Sequence, residues 1–403
     1  DPLATPARMV NHAGGAYSDD TQCAACHAPS AGAFDISVAG AHINPVHASA
    51  LRGLDLAIIA VSGTAGGNPV IQFTVKNHDD GSNIAPLTTA NVASLSATLS
   101  GPTDDYLYEN MVSLNILKAN PVQDTTTGVW TAQFAKRAAT DPWYPSSAAL
   151  NSNMHGSFAV GLQGTRSVTL TPTVKVTEAA FNPVAYFSVD GSPVTPRRQV
   201  VDVNKCQACH DKLALHGGGR DNTEYCVLCH NPTASDWGRR TKLPGTNTNV
   251  DLTKVADHIE ERSIDFKQLI HRIHTGEELT STQPFLVYGF SGINDFGDVE
   301  FPGDRAKCET CHLPGTYTVD HVESYNLTWP IENETGTDMH AGTQKHGAGE
   351  VPIGPIRAAC TACHDTFAAK AHTEAMTYQG VETCAVCHGE QADFAVTKVH
   401  AGK

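Results

Sequence analysis

Every cysteine in this chain belongs to one repeated pattern. The twelve fall as Cys23-Ala-Ala-Cys26-His27, Cys206-Gln-Ala-Cys209-His210, Cys226-Val-Leu-Cys229-His230, Cys308-Glu-Thr-Cys311-His312, Cys360-Thr-Ala-Cys363-His364 and Cys384-Ala-Val-Cys387-His388. With 12 Cys and 20 His in 403 residues, chance would produce about 0.02 such motifs. The spacing has a chemical reason. Two thiols so placed form thioethers to the two vinyl groups of one haem, and the adjacent histidine becomes the proximal iron ligand. A disulfide framework needs no histidine after every second cysteine. A zinc site has no role for a histidine recurring at that position. No cysteine is left over, which excludes an ordinary structural disulfide, a free redox thiol and a lipidated N-terminal cysteine. The expectation is six covalently attached c-type haems.

Six proximal histidines leave fourteen others: His12, His42, His47, His78, His155, His216, His258, His271, His274, His321, His340, His346, His372 and His400. The chain has only five Met, none at a fixed offset from the motifs. Bis-histidine ligation of all six irons is therefore the economical reading. It gives low-spin iron with no open site, which suits electron transfer better than catalysis. Residues 263–276 read as a short helix with a Ser263 cap, an early Asp265 and a closing Gly276. His271 and His274 stand three apart on one face of it, placed to serve two neighbouring haems. His216 follows the second motif by one and a half helical turns and points towards a neighbouring haem. His372 lies eight residues after His364, His400 twelve after His388, and His42 follows the first motif in the same way, with His47 close behind. His78 and His155 read as structural or surface residues.

The motifs divide the chain unevenly. One lies in residues 1–52, none in 53–200, and five in 201–403. The middle stretch reads as β structure. Residues 54–62, 70–76, 92–100, 128–135, 157–162 and 168–176 show partial alternation, with turns such as Asp80-Gly81 and Asp190-Gly191 between them. Strands at that spacing indicate a β-sandwich or a small barrel. The last two hundred residues read as loop-rich with short helices and a thin conventional core. The expected fold is thus mixed, a β-sandwich or barrel domain with a loop-rich multihaem domain. A net charge of −15 argues against nucleic acid as a partner. No apolar run is long enough to span a bilayer. No signal peptide is visible, and the chain reads as a mature form whose export signal has been removed.

The order of motifs carries a resemblance. Thr195-Pro-Arg-Arg-Gln-Val-Val-Asp-Val-Asn-Lys-Cys-Gln-Ala-Cys-His210 leads into Leu213-Ala-Leu-His-Gly217 and Tyr225-Cys-Val-Leu-Cys-His-Asn-Pro232. Asp265-Phe-Lys-Gln-Leu-Ile-His-Arg-Ile-His274 and Cys308-Glu-Thr-Cys-His-Leu-Pro-Gly-Thr-Tyr317 follow, and the chain closes on Cys384-Ala-Val-Cys-His-Gly389 and Val399-His400. From about residue 20 onward this resembles the C-terminal half of the OmcA/MtrC-type decahaem outer-surface cytochromes. The resemblance implies a β domain preceding a pentahaem domain. It implies His216, His271, His274, His372 and His400 as distal ligands of the five clustered haems, and His42 as that of the haem before the β domain. The chain departs from the family in carrying six motifs instead of ten. It also lacks the cysteine pair that some members have in a β domain.

By that resemblance the chain is expected at the outer cell surface, exported through the periplasm. There it would take electrons from redox partner cytochromes and deliver them to metal oxides, metal ions or partner cells. A homopolymeric filament, with His12 or His47 ligating or flanking a haem of the next copy, is a further expectation. The alternative is a multihaem reductase of a small soluble substrate such as nitrite or sulfite, which requires an open iron position and nearby proton donors. A third reading makes the β domain the functional part of an adhesion protein.

Overall fold

The computed structural model describes residues 21–45, 51, 53–107, 111–135, 150, 152–171, 174–245, 250–280, 284–321, 353–378 and 381–401. All six motifs fall within them. His12, His47, His340 and His346 lie outside, as does the side chain of His321.

The first motif forms the short helix α1 (Cys23–Cys26), and a second turn, α2 (Val38–Ala41), folds back on it. The Val38 and Ala39 amides donate to the Ala28 and Pro29 carbonyls. The Ser37 hydroxyl caps α2 by accepting from the Gly40 amide at 3.0 Å.

Nine strands follow: β1 (Leu54–Ser62), β2 (Val70–Asn77), β3 (Ser94–Ser100), β4 (Val112–Asn115), β5 (Val122–Gln123), β6 (Trp130–Gln133), β7 (Ser157–Thr171), β8 (Val174–Ala179) and β9 (Val184–Ser188). They make two open antiparallel sheets, one ordered β1-β2-β6-β5 and the other β4-β3-β7-β8, with β9 also on β7. One hydrophobic core unites them. Leu54, Ile71, Phe73, Val75 and Trp130 of the first sheet pack with Leu95, Leu99, Leu114, Phe158, Val160 and Leu162 of the second. Of the two architectures expected, this is the sandwich, and no barrel closes among the described residues. Strand β7 runs unbroken where the sequence pattern indicates two shorter strands. Its polar middle is satisfied across the sheet. Thr165 bonds Ser94 at 2.7 Å, Arg166 pairs with Glu178, and Gln163 accepts from Arg220 at 2.8 Å.

The outer face of β7 is also covered. Helices α3 (Val203–His210) and α4 (Thr223–Cys229) carry the second and third motifs. Tyr225 and Leu228 of α4 lie on β7, where Ala159 and Gly161 leave room. A Cβ at Gly161 would stand 2.4 Å from the Tyr225 ring. The Tyr225 hydroxyl shares a 2.9 Å hydrogen bond with Thr98 of β3. The third motif is therefore mounted directly on the sandwich.

Beyond it come α5 (Phe266–Thr275), the hairpin β10 (Leu286–Gly289) and β11 (Gly292–Asp295), α6 (Pro355–Cys360), α7 (Phe367–Ala375), the two-residue strands β12 (Thr377–Tyr378) and β13 (Val381–Glu382), α8 (Ala385–His388) and α9 (Val396–Val399). Among the described residues no helix is long and apolar enough to cross a membrane. Helix α5 starts at Phe266 with Asp265 as its N-cap residue, so Ser263 is not its cap. Ser263 is held instead in a bridge to Ser235, and its hydroxyl accepts from the Asp265 amide.

Sandwich and haem-motif segment are joined by a buried clasp. The Asn182 amide donates to the Asp221 carboxylate at 3.1 Å, the Asp221 amide donates to the Asn182 side chain at 2.8 Å, and the Asn222 side chain donates to the Asn182 carbonyl at 2.8 Å. Lys212 donates to the Leu51 and Ala179 carbonyls. Burial pushes the Asp221 carboxyl up to about 6, against the pull of the Lys212 charge and the Asn182 amide. A carboxyl whose folded pKa lies above its unfolded one binds more protons when folded, so stability falls as pH rises from about 4 to about 6. Asp221→Asn keeps the acceptor and is expected to flatten that fall, worth about 2–3 kcal/mol, in denaturant midpoints measured from pH 4 to 7. Gly161→Ala is expected to cost about 1–3 kcal/mol by overpacking against Tyr225, read in the same unfolding assay.

Candidate functional site

Five of the six motif histidines face a second imidazole. His210 meets His274 with ring centres 6.1 Å apart, His230 meets His216 at 5.8 Å, and His312 meets His271 at 5.9 Å. His364 meets His400 at 6.0 Å and His388 meets His372 at 6.3 Å. Imidazole nitrogens about 2.0–2.1 Å from a metal on opposite sides put the two ring centres roughly 6 Å apart. The side chains thus fit one six-coordinate iron in each gap. All twelve thiols are free of disulfides, and no group of three or more His, Cys, Asp or Glu among the described residues gathers as a metal cluster would.

Local structure builds each pair. His271 and His274 lie on adjacent positions of one face of α5, so this helix serves the second and fourth motifs at once. His216 sits in a tight turn at φ 53°, followed by Gly217 and Gly218 at φ 76° and 88°. Left-handed backbone of this kind favours glycine, and it turns the His216 ring onto His230. The last two sites are crossed. His372 on α7, between the fifth and sixth motifs, serves the sixth, and His400 after α9 returns to the fifth.

Several rings are fixed through Nδ1, which leaves Nε2 to face the gap. The carbonyl partners are Ile264 for His230, Ile270 for His274, Phe394 for His388 and Val396 for His400, each at 2.9 Å. Burial, with neighbouring positive groups adding to it, lowers both His216 and His271 to about 4. At neutral pH these rings are uncharged, the form that binds a metal. Burial pushes the Cys226 and Cys360 thiols up to about 12, unlike the lowered pKa of reactive or zinc-bound cysteines.

The motifs form a row. Besides burial, thiol neighbours raise one another's pKa: Cys311 acts on Cys206, Cys209 on Cys311, Cys363 on Cys308, Cys384 on Cys360 and, more weakly, Cys206 on Cys226. The spatial order is third, second, fourth, fifth, sixth. Antiparallel contacts staple the second to the fourth, with the Leu313 amide donating to the Val200 carbonyl and a bridge between Val201 and His312. The Thr275 hydroxyl lies 3.2 Å from the Cys363 sulfur, tying α5 to the fifth. The Glu382 carboxylate accepts the Ile356 and Arg357 amides at the start of α6.

The first motif stands apart. Cys23, Cys26, His27 and His42 are all exposed. His27 is anchored through Nδ1 to the Ile36 carbonyl at 2.7 Å, and His42 to that of Val38 at 2.6 Å, the same i−4 anchor that His274 and His400 use. His78 bonds Asp55 at the surface, and His155 is exposed beside Asp190. His258 is exposed with Nδ1 on the Leu252 carbonyl.

Sequence reasoning missed the charged scaffold behind these sites. The buried Arg240 guanidinium makes two bonds each to Asp236 and Asp257 and one to the Ile259 carbonyl, all between 2.7 and 3.0 Å. Asp236 also accepts the Arg262 and Tyr288 amides. This knot holds the segment between His230 and α5. Nothing in periodicity or spacing marks it, because its members lie scattered over fifty residues.

Cys-x-x-Cys-His motifs, five of them facing a second imidazole, are the arrangement that a multihaem cytochrome requires. The family model for outer membrane cytochromes described as MtrC/MtrF-like, domains II/IV, matches residues 198–401, just over half of the chain. The chain belongs to that family. Among solved structures, it resembles the crystal structure of MtrC from Shewanella baltica OS185 at 14% identity and a TM-score of 0.53, covering 93% of this chain and 57% of that one. The outer membrane decahaem cytochrome OmcA aligns at 17% identity and a TM-score of 0.43, covering 87% of this chain and 48% of that one. This chain therefore spans only about half the length of both. No curated protein sequence matches.

Arg240→Met is expected to destabilise the protein by about 3–5 kcal/mol, because it leaves Asp236 buried without its cation and Asp257 with Arg262 alone. Thermal and denaturant unfolding of the purified protein would measure it.

Proposed function

We propose that this chain is a six-haem c-type cytochrome that carries electrons at the outer cell surface to extracellular acceptors. The observation that carries the reading is the set of five imidazole pairs, each spanning 5.8–6.3 Å. Residues 1–52 form a one-haem segment, 53–200 a β spacer and 201–403 a pentahaem domain. The twelve cysteines hold the haems, and His27, His210, His230, His312, His364 and His388 are the proximal ligands. His274, His216, His271, His400 and His372 are the distal ligands of the second to sixth sites in motif order. His42 is the candidate for the first, on the strength of its Nδ1 anchor.

Haem supplies a one-electron change at each site. The protein's own part is to keep that change simple. Two imidazoles close each iron against substrate and solvent, and fixed Nδ1 bonds keep the rings from reorganising. The staples between motifs hold neighbouring sites at constant separation. Electrons arrive from redox partner cytochromes and leave to metal oxides, metal ions or partner cells. The exposed first site, outside the row, is the natural contact with a neighbouring molecule, a further copy of this chain among them. Electron microscopy of concentrated protein showing only dispersed monomers would remove the filament.

Two measurements test the central reading. A haem assay should return six haems per chain, with low-spin spectra and no binding of carbon monoxide by the reduced protein. His274→Ala and His271→Ala should each open one haem in six to carbon monoxide, at the second and fourth sites respectively, leaving the others low-spin. Carbon monoxide binding by the unmodified protein would point instead to a reductase with an open iron.

A further inference from the structure

One site in the row differs from its neighbours in three ways. In each of the other four pairs at least one ring donates through Nδ1 to a carbonyl: His230, His274, His388 and His400. In the His271–His312 pair, neither buried Nδ1 makes a well-formed hydrogen bond: that of His312 has no protein acceptor, and that of His271 keeps only a weak contact with the Lys267 backbone. A hydrogen bond at that nitrogen makes an imidazole a stronger electron donor to its metal and favours the oxidised state. This pair lacks that push at His312 and has only a weak one at His271. The second difference is a charge. Lys205 reaches from α3 to donate to the Glu309 and His312 carbonyls, both at 2.6 Å. Its ammonium, half-buried, is thus fixed on the backbone of the fourth motif, and its charge is felt at Cys311 and at the His312 ring. Reducing an iron removes one positive charge from the site, so a nearby fixed cation favours the reduced state. The third difference is orientation. The His271 and His312 planes are within 15° of parallel, whereas the others cross at 78°, 42°, 50° and 80°.

We propose that the haem held by Cys308, Cys311 and His312 is the highest-potential haem of the five in the row, and that Lys205 is the residue that sets it there. This rests on the bis-histidine reading above. The fourth site lies in the middle of the spatial order, between the second and the fifth. An electron entering from either end therefore settles there first, and onward transfer to the next site, the fifth or the second, is the uphill step. Lys205 belongs by sequence to the second motif, so the staple that aligns two haems also tunes one of them.

Ring orientation supplies the test. Near-parallel axial imidazoles split the iron orbitals and give a rhombic low-spin paramagnetic resonance signal, whereas crossed rings leave those orbitals closer in energy and shift the signal to a larger maximal g value. Purified holoprotein is titrated reductively while its resonance spectrum is followed. His271→Met, which keeps an axial ligand but removes one imidazole, assigns the rhombic signal of the fourth site by its loss. That signal should disappear before those of the crossed-ring pairs. Lys205→Gln keeps N–H donors for the two carbonyls and removes the charge. It should move that signal's midpoint to lower potential and leave the crossed-ring signals in place, and Lys205→Arg should restore it. If the rhombic signal is lost after the others, or if Lys205→Gln leaves its midpoint unmoved, the proposal is overturned. A high-spin ferric signal in the unmodified protein would instead overturn the six-coordinate reading beneath it.

Discussion

Two imidazole rings held about 6 Å apart are the constraint on which this structure turns. Each pair draws together residues from separate stretches of chain, and in none of the five does a common element hold both rings. Among its described residues, the C-terminal half has few strands and only short helices. Its described hydrophobic clusters are small beside that of the sandwich. Ring pairs, thioether sites and buried charges take the place of a conventional core. That is why the charges are so deeply placed. Arg240, Arg262, Asp236 and Asp257 are nearly inaccessible, yet every donor of Arg240 has an acceptor.

The sandwich supplies what the haem half lacks, a rigid surface of regular backbone. Strand β7 is the shared element. Phe158, Val160 and Leu162 point into the sandwich, while Ala159 and Gly161 on the alternate face accept α4. A strand reading that asks only which residues are apolar misses this, because small residues on a second buried face look like a weak strand. The polar stretch from Gln163 to Ser167 looks like a break for the same reason. Its partners, Arg220, Ser94 and Glu178, lie far away in sequence. Strands β4 and β9 were illegible because four or five residues carry too little alternation to be separated from loop.

The site was far more legible than the fold around it. Covalent chemistry fixes the distance between two cysteines and a histidine along the chain, so the motifs can be read by spacing alone. Distal histidines have no such rule, yet His216, His271, His274, His372 and His400 stand out by helical offset and by resemblance, and each lies opposite a motif histidine. His42 is exposed, and its i−4 anchor matches those of His274 and His400. What spacing could not disclose is the electrostatic setting. Lys205 reads as an ordinary lysine before a cysteine, and only the fold puts its ammonium on the fourth motif.

The crossed ligands of the last two sites bear on how such a chain is made. On the proposed assignment, a haem at Cys360 and Cys363 would attach as soon as that motif emerges, but its second ring, His400, comes only after another whole motif has followed. The sixth site, by contrast, has both its histidines in hand once His388 has appeared. Completion therefore runs out of order along the chain, with an interior link of the row closing last. A chain cut between His388 and His400 would keep all six motifs and lose only the ring that faces His364.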